Sequence, residues 1–136
     1  MNPVKKRMAL TAAIGAVGVA LGALGAHFLR DKMEAGQLTT RQFDGFEAAV
    51  RYQLLHVVAA LMVLFWYSSD QKKFYWTAST FFLSGILLFS GSIYLLSLRS
   101  LLHADWLKFV GPITPLGGIA FIVGWLVLMM GFLKKG

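Results

Sequence analysis

FVGPITPLGGIAFIVGWLVLMMGFL, residues Phe109–Leu133, contains no Asp, Glu, Lys, Arg or His. A helix crossing a hydrocarbon layer about 30 Å thick needs about 20 consecutive residues of this kind. The stretch reads as a transmembrane helix, and three more segments read the same way: Met8–Phe28, Thr40–Trp66 and Phe74–Leu98. Together they fill most of the 136 residues, so the chain is one domain without a separate soluble part. The expected architecture is an all-α integral membrane protein, an antiparallel bundle of four transmembrane helices over about 8–28, 40–67, 74–98 and 112–133.

Composition agrees. Hydrophobic residues make up 57% of the chain and charged residues 14%, with a mean hydropathy of +0.66. Soluble domains carry about 25% charged residues. Too few polar side chains remain to cover a core in water, so lipid is the covering and the bilayer the first partner. The formal charge of +7 does not imply nucleic acid, because the cations sit at span ends rather than along one face. Cysteine is absent, which removes disulfides and thiolate chemistry.

The spans differ in detail. Lys5, Lys6 and Arg7 precede the first, which suits a signal peptide. Its small residues run through the whole segment, however, so it reads as an uncleaved helix. In the second, Thr39 and Gln42 have capping-box spacing and place the start at Thr40. That helix is about 40 Å long against a core of about 30 Å, so Arg41, Asp44 and Glu47 project beyond the bilayer. The segment between the first two helices is expected to be partly helical on the membrane surface. Phe65-Trp66-Tyr67 and Phe74-Tyr75-Trp76 bracket a tight turn and form an aromatic belt, with Trp106 at the opposite interface.

Lys5, Lys6, Arg7, Lys72, Lys73, Lys134 and Lys135 fall on one side. Arg30, Lys32, Arg41, Arg51, Arg99 and Lys108 fall on the other, together with five of the six acidic residues. The first group lies in short segments at span ends, which puts both termini in the cytoplasm.

Gly15, Gly18, Gly22 and Gly25 share one side of the first helix, and Gly18 and Gly22 form a GxxxG pair. Without side chains two backbones can approach closely, in a solvent that supplies no hydrophobic drive between helices. The partner is either another helix of this chain or a second copy. Gly117, Gly118 and Gly124 suggest a similar close contact for the fourth helix. Glu47 and Arg51 have the spacing of a helical ion pair.

Nearly opposite that pair lie Tyr52, Gln53 and His56, the last about 15 Å into the span. Ionisable groups at such depth face a cavity, a bundle interior or a functional path. His56 is thus either a proton-accepting or ligand-binding group, or a neutral imidazole bonded to a neighbouring helix. Ser90, Tyr94 and Ser97 share a face of the third helix. Pro112 and Pro115 with three glycines in residues 111–118 predict an irregular or kinked start to the fourth helix. Such a break either exposes backbone groups to a substrate or merely caps the helix. No spacing proposes a catalytic set, a metal site or a phosphate loop, and no cofactor is assigned. Haem ligation by His27 and His56 is disfavoured by their unequal depths.

GALGAH (Gly22–His27), RYQLLH (Arg51–His56), FSGSIY (Phe89–Tyr94) and GPITPLGG (Gly111–Gly118) resemble the signature segments of the YgdD-like family, small bacterial inner-membrane proteins grouped as domain of unknown function 423. The resemblance implies a four-helix protein of the bacterial inner (plasma) membrane and carries over no catalytic or binding residue. The expected function is therefore a non-enzymatic multi-pass protein that binds or passes a small polar or amphipathic ligand. Gln53, His56, Ser90, Tyr94 and Thr114 are the candidate polar interior. The alternative is a structural partner, in a homo-oligomer or a larger membrane complex, recruited through the glycines. A membrane enzyme acting on lipid or quinone through His56 is the third reading, and it requires a lipid-accessible cleft at that histidine.

Overall fold

The computed structural model describes residues 2–134. At its start the Val4 amide donates to the Asn2 side chain at 2.8 Å, and Pro3 occupies the first helical position, where a missing N–H is harmless. Helix α1 runs Pro3–Glu34, longer at both ends than expected. Its second half includes a π-helical turn, Gly25–Leu29, in which the Arg30 amide reaches back to the Gly25 carbonyl. The helix then continues to Glu34, so the start of the segment expected to be partly helical is an extension of α1 itself.

Helix α2, Thr40–Asp70, begins with the expected capping box. The Gln42 amide donates to Thr39 Oγ1 at 3.1 Å, and the Thr39 amide donates to Gln42 Oε1 at 3.0 Å. It ends at Gln71, whose φ of 57° turns the chain into α3, Lys73–Leu98. A second π turn, Ile86–Ser90, interrupts α3. One inserted residue rotates everything beyond it by about 100° relative to an unbroken α-helix.

A 3₁₀ turn, Asp105–Val110, leads into α4, Ile113–Leu133. The entry to α4 is irregular, as expected, through that 3₁₀ turn and a turn at Gly111-Pro112, but the helix itself carries no kink, so the break caps the helix. Pro112 caps the helix and Pro115 lies in its first turn, where amides have no intrahelical acceptor, so both rings fit a regular α-helix. Residues 113–133 are continuously α-helical.

The four helices run antiparallel in a bundle, with no strand among the described residues. Helix α2 lies between α1 and α3, and α4 packs on α3. Toward the termini, Ala60, Val63, Tyr75, Ala78, Phe82, Phe121 and Leu128 form one core cluster. Leu29, Leu38, Phe43, Phe46 and Val50 form a second at the opposite end.

Glycines set two of the helix spacings, α1 on α2 and α3 on α4. On α1, a Cβ at Gly15 would lie 3.0 Å from Val57, one at Gly18 2.8 Å from Leu54, one at Gly22 3.3 Å from Val50 and one at Gly25 3.1 Å from Phe46. All four neighbours belong to α2, so that side of α1 is taken up within the chain. Between α3 and α4, glycine meets phenylalanine four times: Gly85 against Phe121, Gly117 against Phe89, Gly124 against Phe82 and Gly131 against Phe74. Dispersion across such close faces drives helix association in lipid.

Two charge features differ in outcome. Lys5, Lys6, Arg7, Lys72, Lys73 and Lys134 collect at the end of the bundle that bears the termini; Lys135 lies outside the described residues. The Glu47–Arg51 pair is not made. The ion pair found among the described residues is Lys72–Asp70, at 3.4 Å. Arg51 is exposed, and an exposed pair gains little over separate hydration.

Candidate functional site: a closed polar interior and an open end groove

Gln53 and His56 point into the bundle, 3% and 2% exposed, as their position on α2 predicts. Gln53 bridges three helices. Its Nε2 donates to the Ile14 carbonyl of α1 at 2.8 Å, and its Oε1 accepts from the Tyr94 hydroxyl of α3 at 2.6 Å. Tyr94 also packs its ring 5.0 Å from Phe46.

His56 lies on the other side of α2, against α4. Trp125 Nε1–H donates to His56 Nε2 at 3.2 Å. Nε2 must then be an acceptor, so the proton sits on Nδ1 and is donated to the Tyr52 carbonyl at 2.8 Å. The imidazole stacks on Phe121 with centroids 3.6 Å apart. Both ring nitrogens thus have hydrogen-bond partners inside the bundle. His27, meanwhile, is exposed on the π turn of α1.

The other predicted residues close on separate partners. Ser90 Oγ donates to the Ala49 carbonyl at 2.8 Å, which ties the second π turn to α2. Thr114 shares a 2.5 Å hydrogen bond with Ser92 and holds the start of α4 to α3. Ser97 is buried beside Gly45 of α2. Among the described residues no buried side-chain polar atom lacks a partner. Gln53, His56, Ser90, Tyr94 and Thr114 are therefore all turned inward, yet they form four local locks rather than one chamber, and none of them lines any of the grooves below.

Three participants escape sequence reasoning. Arg7, read only as a topology charge, stacks its guanidinium 3.5 Å from the Trp76 ring centroid and donates to Ser79 Oγ at 3.0 Å and Thr80 Oγ1 at 2.9 Å. It joins α1 to α3 across the bundle. Trp125 resembles any lipid-facing aromatic until the structure brings its N–H to His56. Ser92 lies two residues from both Ser90 and Tyr94, off the face assigned to them. Only the register between helices reveals these pairings.

The open space is at the ends. Opposite the termini, the last turns of the α1 span and the segment after α3 enclose a groove of about 740 Å³. Leu24, Phe28, Leu29, Leu98, Leu101 and Leu102 supply apolar walls, and Lys32, Gln37, Ser100 and His103 supply polar groups. His103 holds a left-handed backbone, φ 50°. A second groove, about 480 Å³, lies at the terminus-bearing end between α3 and α4. Smaller ones lie beside Arg41 and Arg99, and beside Glu47 and Arg51. Among the described residues no three His, Asp or Glu side chains gather as a metal site would require.

Known proteins with this pattern exist. The family model described as a protein of unknown function, DUF423, matches residues 21–118. The UPF0382 inner membrane protein YgdD of Escherichia coli is 36% identical over 132 residues, covering 93% of this chain and 89% of that one. A UPF0382 membrane protein of Haemophilus influenzae is 36% identical over 130 residues, 96% and 95% of the two chains. Another, from Staphylococcus saprophyticus, is 36% identical over 118 residues, 87% and 88%. No solved structure matches the chain. A match through the latter part of α1, all of α2 and α3 and the start of α4, with relatives that align nearly end to end, leaves one assignment: this small membrane protein belongs to the DUF423 family.

Proposed function

We propose that this protein is a non-enzymatic inner-membrane protein that binds a single-chain amphiphile in the groove opposite its termini. The observation that carries the reading is the groove itself. Its volume of about 740 Å³ is that of a small-molecule site, its walls are leucine and phenylalanine, and its polar groups include Lys32 and His103 but no carboxylate. An acyl chain suits the walls, and an acidic headgroup suits the cation. In this reading Gln53, His56, Ser90, Tyr94 and Thr114 are locks that hold the groove's supports in register, and Gly15, Gly18, Gly22, Gly25, Gly117 and Gly118 are helix-packing positions. Six cations at the terminus-bearing end support cytoplasmic termini, which puts the groove in the outer leaflet.

The assembly-partner reading relied on an outward glycine face, and α2 occupies that face. The lipid-enzyme reading needs a cleft at His56, which is 2% exposed and bonded at both nitrogens. Neither is favoured by the geometry.

Native mass spectrometry of delipidated protein with added oleate tests the proposal. Wild type and His56→Phe should retain oleate, and Leu101→Trp, which fills the groove, should not. Retention unchanged in Leu101→Trp would refute the site. Loss in His56→Phe alone, with that variant folded, would return the site to the interior.

A further inference from the structure

The second groove has a different chemistry. It lies at the other end of the bundle, between the start of α3 and the end of α4, with a volume of about 480 Å³. Lys72, Lys73 and Lys134 line it, over a floor of Phe74, Val127 and Met130. No carboxylate lines it. The nearby acid, Asp70, is already 3.4 Å from Lys72 Nζ. Lys73 and Lys134 have no carboxylate within ion-pairing distance among the described residues, and both are exposed.

The floor is fixed. A Cβ on Gly131 would run into the Phe74 ring, so that ring sits directly on the α4 backbone. Trp66, Tyr75 and Phe132 surround the same level, with Trp66–Phe132 centroids 5.9 Å apart and Tyr75–Phe132 also 5.9 Å. Clustered aromatics of this kind mark the boundary between acyl chains and headgroups. The groove therefore offers unpaired cations at headgroup depth directly above an apolar bed at acyl depth.

The contrast with the other cations at this end sharpens the point. Arg7 is committed to Trp76, Ser79 and Thr80. Lys5 and Lys6 are exposed on α1 and line none of the four grooves. Generic attraction to an anionic surface depends on the number of cations near it and would weight Lys5 and Lys6 like Lys73 and Lys134. A site built from charge above a fixed floor would not.

We propose that the groove between α3 and α4 holds one anionic phospholipid, its phosphodiester on Lys73 and Lys134 and its acyl chains on Phe74, Val127 and Met130. Free phosphate has no use for that floor, and a zwitterionic lipid brings its own ammonium against the lysines. This site is separate from the amphiphile groove, and either can fail without the other.

The test is native mass spectrometry of the full chain from mixed micelles with equimolar phosphatidylglycerol and phosphatidylcholine of matched acyl chains. Wild type should keep phosphatidylglycerol preferentially. Each surface cation contributes about a fivefold preference, so Lys73→Gln with Lys134→Gln should lower that preference by about twenty-five-fold. Lys5→Gln with Lys6→Gln should change it far less, because neither side chain lines the groove. All four positions are exposed, so neither pair threatens the fold. Equal losses in the two pairs would reduce the effect to bulk charge, and equal retention of both lipids by wild type would remove the headgroup site; either overturns the proposal.

Discussion

Gly117 and Gly118 are chain neighbours of the same residue type, and alanine at each should have opposite consequences. A Cβ on Gly117 would collide with the backbone amide nitrogen of Phe89 and lie 2.7 Å from both its Cα and its Cβ. Ordinary contact begins at 3.4 Å, and a helix backbone cannot swing aside as a side-chain tip can. Helices α3 and α4 must separate along their shared face. A gap of about 0.5–1 Å forfeits about a quarter to a half of the attraction of each contact across it. Lipid supplies no hydrophobic drive to compensate. Overpacking of this kind costs about 1–3 kcal/mol, and the backbone collision puts Gly117→Ala near the upper limit.

A Cβ on Gly118 would meet nothing closer than a Phe89 ring carbon at 3.8 Å. Gly118→Ala should be neutral or stabilising by about 0.5–1 kcal/mol, from the backbone entropy that glycine loses in a helix. The assay is the fraction of protein still monodisperse by size-exclusion chromatography after heating in mild detergent, across a temperature series. The Gly117→Ala midpoint should fall below wild type and the Gly118→Ala midpoint should match or exceed it. Equal shifts in both variants would refute the reasoning, because helix propensity alone cannot separate the two sites.

Gln53→Leu leaves the Tyr94 hydroxyl without its acceptor and should cost about 1–3 kcal/mol, whereas Tyr94→Phe in the Gln53→Leu background should recover part of it; the same heating series reads both. Arg7→Gln should free the first turns of α1, seen as faster amide hydrogen exchange over residues 3–11 with exchange in α3 unchanged. Gly18→Leu must displace Leu54 and the Gln53 amide and should cost about 1–3 kcal/mol, while Gly22→Ala, whose nearest neighbour is Val50 at 3.3 Å, should lie close to wild type in the heating series.

Much of this molecule is written in its composition. The charge-free run ending at Leu133 and its three counterparts fix solvent and helix number, since only helices with internally paired backbones can cross lipid unaccompanied. The capping box at Thr39 and Gln42 fixes one helix start, because both partners are local. The burial of Gln53 and His56 is equally legible, since exposing such groups to acyl chains is costly.

The pairings across helices are not. Gln53 with Tyr94, His56 with Trp125 and Arg7 with Trp76 depend on axial register and rotation, and two π turns shift that rotation by about 100° each without any mark in the sequence. The same register turns the glycines of α1 onto α2 and closes the polar interior around its own donors. Sequence alone determined which residues lipid rejects. Tertiary structure decided that those residues satisfy one another, because a buried donor takes whichever acceptor the packing brings within reach, and it thereby left the open space to the two ends of the bundle.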